Sequence, residues 1–471
     1  MFGLDPLLTT LLLLCIVAAC AFEFINGFHD TANAVATVIY THSLRPTVAV
    51  IWSGICNFLG VYLGGIAVAM GIMNLLPAEI LIDQNVYHSV AMVLSLVLTA
   101  IIWNLGTWYM GIPCSSSHTL IGSIFGVGIA FLMIPGSSGV ALNWHKVEEV
   151  GLSLLISPVF GFGLAMFLMM FLKYLIKDQR LFDKPPDKTP PPFWIRSVLV
   201  LTCTSVSFSH GSNDGQKGVG LVMIILMAIV PVHFALDHSR PVPEMVRDIN
   251  RISATLDKVD TLQLNDFDLA QYRVLRGRVG QIGEHIGNIK HFRELPAKEH
   301  FEIRKNIVLV TKKTGIFLED LRENPASTEQ KALASTLSGD IRQLRRYTEY
   351  SPTWVILMIS ISLGLGTMIG WRRIVVTIGE KIGKSPLTYA QGASAELVAA
   401  STIGVSTALG LPVSTTHVLS SGVAGTMVAG KGLKNLRRKT IRSIAIAWFV
   451  TVPVTVFLSG ALFLLLYYLI G

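Results

Sequence analysis

The chain has 471 residues, 51% of them hydrophobic and only 14% charged, with a formal net charge of +8. Soluble domains carry about 25% charged residues, so this composition excludes an ordinary water-soluble globule. The basic excess is gathered in short loops, which fits the cytoplasmic loops of a membrane protein and not a nucleic-acid-binding face.

Apolar stretches of roughly 18 residues or more are candidate bilayer spans. Such blocks cover 7–40, 46–73, 87–110, 112–134, 150–172, 193–234, 353–370, 387–409, 411–430 and 443–470. Several exceed one simple span, so about ten to twelve membrane elements are expected, some of them broken. The first Lys or Arg is Arg45, so the N-terminal block lacks the basic start of a secretory leader. Cys15, Cys20, Cys56, Cys114 and Cys203 all lie in apolar blocks without metal-ligand spacing, which predicts core packing.

In chain order, the first block contains Asn26-Gly27-Phe28-His29-Asp30-Thr31-Ala32-Asn33-Ala34. Asn26, Asp30, Asn33 and Thr37 are spaced four, three and four apart, one polar stripe on a helix. After the third block comes Gly111-Ile112-Pro113-Cys114-Ser115-Ser116-Ser117-His118. Both motifs then return in the same order, as His210-Gly211-Ser212-Asn213-Asp214-Gly215-Gln216-Lys217-Gly218 and as Gly410-Leu411-Pro412-Val413-Ser414-Thr415-Thr416-His417. His210, Asp214 and Lys217 keep the stripe spacing. Residues 235–351 interrupt the second copy with 19 basic and 17 acidic residues, and with helical periodicity at Leu275, Val279, Ile282, His285 and Ile286. This predicts a soluble helical insertion.

Loop charge separates the two halves. Loops 173–196 and 431–442 are basic, whereas 135–149, the first-half counterpart of 431–442, carries one Lys against two Glu. Likewise 371–384 is basic and its counterpart 74–86 is acidic. Equivalent loops thus fall on opposite sides of the membrane, with both termini and the insertion outside. The expected fold is an all-α polytopic membrane protein of two inverted-topology repeats with broken or re-entrant helices, plus a helical soluble insertion. The expected division is 1–172 (first repeat), 173–192 (cytoplasmic linker), 193–234 (start of the second repeat), 235–351 (insertion) and 352–471 (remainder of the second repeat). A multi-pass protein of the cell (inner) membrane follows.

An intramembrane Asp or Lys costs about 2.5–3.5 kcal/mol at mid-helix, so Glu23, Asp30, Asp214, Lys217 and Glu396 must face one another, a cavity or an ion. Pro113 and Pro412 suit the first turn of a helix. Helices opening inside the membrane at Ser115, Ser116, Ser117 and at Ser414, Thr415, Thr416 would aim free N–H groups and hydroxyls at a tetrahedral anion. Asp30 and Asp214 alongside would hold a cation and offset the anion's charge. His29, His118 and His417 are candidates for proton coupling, with hydrogen-bonded core histidines as the plainer reading of the last two. Trp103, Trp108, Trp371 and Trp448 read as interfacial anchors. The residues alone leave phosphate and sulfate open, and a channel as well as a carrier. An enzyme is disfavoured, since adjacent Ser117 and His118 point about 100° apart on a helix.

The four matched motifs, in this order across both membrane halves, resemble the inorganic phosphate transporter (PiT) family, nearest to its bacterial low-affinity members. The resemblance implies a secondary symporter, not an enzyme, with phosphate bound between the repeats by Ser115, Ser116, Ser117, Ser414, Thr415, Thr416, Asn33 and Asn213. It implies that Asp30, Asn33, Asn213 and Asp214 take part in ion and substrate binding; cation and proton coupling is read from the residues themselves at His29, Asp30, Asp214, Lys217, His118 and His417, with Asp30 and Asp214 as metal ligands. No resident cofactor is implied. A divalent cation such as Mg²⁺ is a co-substrate, moving as a metal–phosphate complex with a proton, and a homodimer is a family expectation. Two departures bear on coupling: the family's Asn-Asp is His29-Asp30 here, and its second distal Asn is Lys217. Both favour a proton over the sodium used in other branches.

Overall fold

The computed structural model describes residues 2–75, 85–134, 144–186, 189–261, 264–323 and 328–470. The described residues are helical throughout, apart from turns and one isolated antiparallel bridge between Gly383 and Leu436. The chain divides into two compact units: Asp5–Ile225 with Ser351–Gly471, and Leu226–Tyr350 with Met1–Leu4.

The first unit opens with α1 (Pro6–Tyr40), whose start is set by Pro6 and by Asp5, which accepts from the Leu8 N–H at 2.9 Å. Then come α2 (Pro46–Leu63), α3 (Ala67–Met73), α4 (Val86–Tyr109), α5 (Ser116–Leu132), α6 (Trp144–Leu175), α7 (Phe193–His210) and α8 (Gln216–Ile229). After the second unit follow α14 (Thr353–Thr367), α15 (Arg372–Val376), α16 (Tyr389–Ala408), α17 (Thr415–Lys431) and α18 (Arg438–Ile470). Five helices among the described residues, α1, α2, α4, most of α6 and α18, are long and apolar enough to cross a bilayer alone. A sixth crossing is formed if α14 and the turns through Lys381, bent by 55°, count as one. That is fewer full spans than the apolar blocks suggest. α5 and α17, of 17 residues each, start after serine caps inside their blocks.

The breaks recur in equivalent places. Gly65 (φ 82°) separates α2 from α3, and Gly370 (φ 71°) separates α14 from α15. Gly111 (φ 66°) and Gly410 (φ 70°) end α4 and α16. Left-handed backbone admits glycine without the Cβ penalty, so helices stop at these points. α1 runs unbroken through Gly27 for 35 residues. A Cβ there would strike the backbone of Leu363 and Thr367, so Gly27 serves the close approach of α14. Loops 76–84 and 135–143, on which the charge comparison of the halves relies, lie outside the described residues.

The halves exchange partners reciprocally. α5 packs along α18 and α17 along α6; α4 packs on α1 and α18, as α16 packs on α7 and α6. Small residues set the spacing, as expected between helices in lipid. Gly122 and Gly126 of α5 face Thr455, Val456 and Ser459, while Gly425 of α17 meets the Phe162 backbone of α6. Gly126→Leu would force α5 from α18, and overpacking costs about 1–3 kcal/mol. We expect this variant to lose most of its monodisperse fraction on mild heating. Gly106→Leu, which meets no atom within 4 Å, is expected to match the parent in the same gel-filtration assay.

The second unit is a helical bundle of α10 (Val242–Leu256), α11 (Asp266–Ile286), α12 (Ala297–Glu323) and α13 (Thr328–Arg345), preceded by the single turn α9 (Pro231–Phe234). Leu275, Val279, Ile282 and Ile286 enter its core with Met245, Ile249, Ile307 and Leu344. His285 instead lies half-exposed beside Glu299, 3.3 Å away. Arg304 is buried and donates to Ala235 O at 3.0 Å and Thr348 O at 2.8 Å, tying together the two ends of the bundle's chain. Burial lowers its guanidinium to about 10, which leaves it charged at neutral pH. Hydrogen bonds to charged groups contribute about 1.5–3 kcal/mol each, so Arg304→Met is expected to destabilise the bundle by roughly 2–3 kcal/mol. Amide exchange near Ala235 and Thr348 should accelerate in the full-length variant.

Candidate functional site

Two interruptions in apolar helices build the site. α7 passes into α8 through a π-helical turn, Gly211–Gly215. Such widened turns re-aim side chains and recur at functional sites. Gly211 packs on the Asn57 backbone and Gly215 on the Val61 side chain, so α2 leaves no room for a Cβ at either. At the other interruption, Ser115 caps α5 and accepts from His118 N at 3.2 Å, and Ser414 caps α17 and accepts from His417 N at 3.1 Å. The oxygens of Ser115 and Ser414 therefore turn back on their own helices. Ser116, Ser117, Thr415 and Thr416 occupy the first turns, where backbone N–H groups have no intrahelical partner.

The stripe of α1 meets these helix ends. Ser116 Oγ lies 3.3 Å from Asp30 Oδ2 and 3.3 Å from Asp214 Oδ2, and its single proton serves one of them at a time. Thr415 donates to Asp214 Oδ2 at 3.4 Å, and Thr416 donates to Asp30 Oδ1. His210 Nε2 stands 3.6 Å from each Oδ2, so Asp30, His210 and Asp214 offer three ligand atoms within 4.8 Å of one another. All three side chains are buried. Two carboxylate oxygens and one imidazole suit a divalent cation.

Lys217 Nζ donates to Asp214 Oδ1 at 2.6 Å, Ser117 Oγ at 2.5 Å and Val413 O at 3.0 Å, and Ser117 in turn donates to Val413 O at 2.9 Å. The other half holds the matching arrangement in neutral form. Asn33 Nδ2 donates to Asp30 Oδ1 at 3.2 Å and to Thr416 Oγ1 at 3.3 Å. Asn33 is thus to Asp30 and Thr416 what Lys217 is to Asp214 and Ser117. Asn33 Oδ1 is buried without a partner.

The remaining predicted residues take other places. Asn213 braces the turn before α17, donating to Thr407 Oγ1 at 2.9 Å and Leu411 O at 3.2 Å and accepting from Val413 N at 3.3 Å. His29 has Nε2 at 3.3 Å from Thr107 Oγ1 and Nδ1 at 3.6 Å from Asp30 Oδ1, with no hydrogen bond at Nδ1. His118 and His417 face each other, ring centroids 4.4 Å apart, with His118 Nδ1 2.8 Å from Ser115 Oγ. Trp448 lies 3.9 Å from the His417 ring and donates to Pro113 O at 3.1 Å, so it anchors the approach to α5. Trp108 donates to Gly370 O and Trp103 to Thr451. Glu23 accepts from Asn26 at 3.3 Å and Glu396 from Thr202 at 2.6 Å, each keeping one oxygen buried and unpartnered.

Two functional side chains carried little or no sign in the sequence. His210 stood out only as a stripe member, yet its Nε2 stands 3.6 Å from both carboxylates. Asn57 of α2 accepts at Oδ1 from His210 Nδ1 at 2.8 Å and donates through Nδ2 to Thr367 Oγ1 at 3.1 Å, which orients the imidazole. It sits alone in an apolar helix, and only the packing of α2 on the π-helical turn gives it a role.

A family profile described as "Phosphate transporter family" matches residues 26–459. The chain is 40% identical to "Low-affinity inorganic phosphate transporter PitB" and 41% identical to "Low-affinity inorganic phosphate transporter PitA", both of Escherichia coli K12. Each alignment covers 98% of this chain and 97% of the relative. It is 28% identical to a "Probable low-affinity inorganic phosphate transporter" of Bacillus subtilis, over 98% of both chains. A solved structure, "The sodium-dependent phosphate transporter", superposes with a TM-score of 0.54 at 20% identity, covering 98% of this chain and 99% of that one. That likeness supports the fold.

Proposed function

The chain belongs to the phosphate transporter family and is a multi-pass membrane phosphate transporter, and from that premise we propose that it is a proton-coupled symporter of divalent metal–phosphate complexes. The observation that carries the reading is the charge count of the groups that hydrogen-bond around the two helix ends. Asp30 and Asp214 bear formal charges of −1 each and Lys217 of +1, leaving −1 in a buried setting, with Glu23 outside that set and held by Asn26. A metal²⁺–HPO₄²⁻ complex is neutral and does not change that sum. One proton does, and it brings the loaded site to zero. A neutral loaded site lowers the cost of carrying charge through a low-dielectric interior.

The hydroxyl geometry supports loading of cation and anion together. Ser116, Thr415 and Thr416 donate to the carboxylates. While they do so, those protons are withheld from an anion. A cation taken up by Asp30, His210 and Asp214 would release the hydroxyls toward phosphate, and the first-turn N–H groups of α5 and α17 would complete its cradle. His29, whose Nδ1 faces Asp30 without a hydrogen bond, is the assigned proton carrier. Lys217 occupies a carboxylate–hydroxyl–carbonyl oxygen set with its own ammonium, which argues against sodium at that position. The reciprocal packing of α5 on α18 and α17 on α6, together with the opposed loop charges, supports inverted repeats that rock about the site.

The test is uptake of labelled phosphate into proteoliposomes, with and without Mg²⁺, under an inward proton gradient. Accumulation above equilibrium that needs both is expected. Accumulation driven by a sodium gradient and indifferent to pH would overturn proton coupling. Equal competition by sulfate would remove the specificity for phosphate.

A further inference from the structure

Beside the C-terminal end of α1, basic side chains from separate stretches of chain converge on one cleft of about 950 Å³. Arg45 precedes α2, Lys184 and Arg196 flank the start of α7, Lys384 lies between α15 and α16, and Arg437 precedes α18. Among the described residues the single acid in the lining is Glu380, and Tyr40 Oη already donates to it at 2.7 Å. Among the described residues, no ion pair involves Arg45, Arg196, Lys384 or Arg437.

The cleft is held in shape without a ligand. Arg196 Nε donates to Ser43 O at 2.8 Å and fixes the turn between α1 and α2, where His42 adopts φ 55°. Lys384 and Arg437 ride on a clasp: Lys384 N donates to Asn435 O at 2.7 Å, Arg437 N to Ile382 O at 3.0 Å and Ser385 Oγ to Asn435 Oδ1 at 2.7 Å. Like charges that converge on rigid backbone repel one another, and a concave surface focuses their field on whatever enters. Asp30 and Tyr40 are ten residues apart on α1, about 15 Å along the helix, so this cleft is distinct from the transport site.

We propose that the cleft binds a phosphate-bearing polyanion at a site separate from the transported phosphate. The chemistry is shared by two sources, the headgroup of an anionic phospholipid and a free oligophosphate; basic clefts between membrane helices are suited to either. The proposal does not rest on the coupling ion or on the metal–phosphate reading, because its readout is binding and not uptake.

The experiment uses the purified full chain with Mg²⁺ and saturating inorganic phosphate present, so that the transport site is filled. Tripolyphosphate binding is followed by calorimetry, and retained phosphatidylglycerol by native mass spectrometry after exchange into neutral detergent. The cleft variant is Arg45→Gln/Lys384→Gln/Arg437→Gln. The control is Lys434→Gln/Arg438→Gln/Arg442→Gln, which removes the same charge from residues that do not line the cleft. A tripolyphosphate affinity at least tenfold weaker in the cleft variant than in the control supports the proposal with a free oligophosphate as ligand. Phosphatidylglycerol lost from the cleft variant alone supports it with a lipid headgroup. Binding of neither probe, or equal loss in both variants, overturns it.

Discussion

Asp214→Asn is expected to lower phosphate uptake in proteoliposomes at least about a hundredfold and to lower the thermal midpoint as well, since breaking a buried ion pair costs about 3–5 kcal/mol. The Asp214 carboxylate accepts from Lys217 and Thr415, and from Ser116 whenever that hydroxyl's proton is not on Asp30. With an amide in its place, the Lys217 ammonium keeps a hydroxyl, a carbonyl and at most a neutral amide oxygen, and no counter-charge in a buried setting. Adding Lys217→Met to that background removes the orphaned charge, so the double variant should regain the thermal midpoint and still fail to transport. This split separates a binding role from a structural one. Uptake by the single variant within tenfold of the parent, or recovered uptake in the double, would refute the assignment of Asp214 to the ion path.

Lys217→Asn is the second large effect. The parent should ignore an imposed sodium gradient. The variant should lose at least tenfold of its proton-driven uptake and acquire a clear stimulation by sodium. The reason lies in the matched half-site. Asn33 reaches Asp30 and Thr416 through a neutral amide, and an Asn at 217 would reach Asp214 and Ser117 likewise while withdrawing from Val413 O. The Val413 carbonyl and an Asp214 carboxylate no longer neutralised by an ammonium would then be open to a monovalent cation. A variant that still binds phosphate but shows no response to sodium would remove the argument that the ammonium excludes that ion.

Much of the architecture was legible before any coordinates. Charge-free blocks marked the membrane segments, because a bilayer taxes every unpaired charge on a helix. The polar interval 235–351 falls within the second compact unit, a helical bundle, and its 3.6-residue periodicity at Leu275, Val279, Ile282 and Ile286 named part of the core that forms. Repetition of two motifs in order pointed to paired half-sites. The exact lengths of spans were harder, because apolar composition does not say where inside a block a helix begins. α5 and α17 begin at Ser116 and Thr415, after caps that only local backbone geometry reveals.

The sequence by itself determined which groups needed partners: Asp30, Asp214 and Lys217 could not stand alone in lipid, and hydroxyl tracts behind Pro113 and Pro412 had to open helices; Glu23 and Glu396, expected to pair as well, accept only from Asn26 and Thr202. Periodicity and the cost of burying charge are local properties, readable along one chain. Tertiary structure alone decided which partner each group takes. It set Lys217 on Asp214 and Ser117, swung His210 between both carboxylates through a π-helical turn, turned Asn213 away to brace a loop, and enlisted Asn57 from another helix. Those choices depend on how closely α1, α2 and α7 approach, which glycine contacts dozens to hundreds of residues apart control. No spacing along the chain encodes that distance.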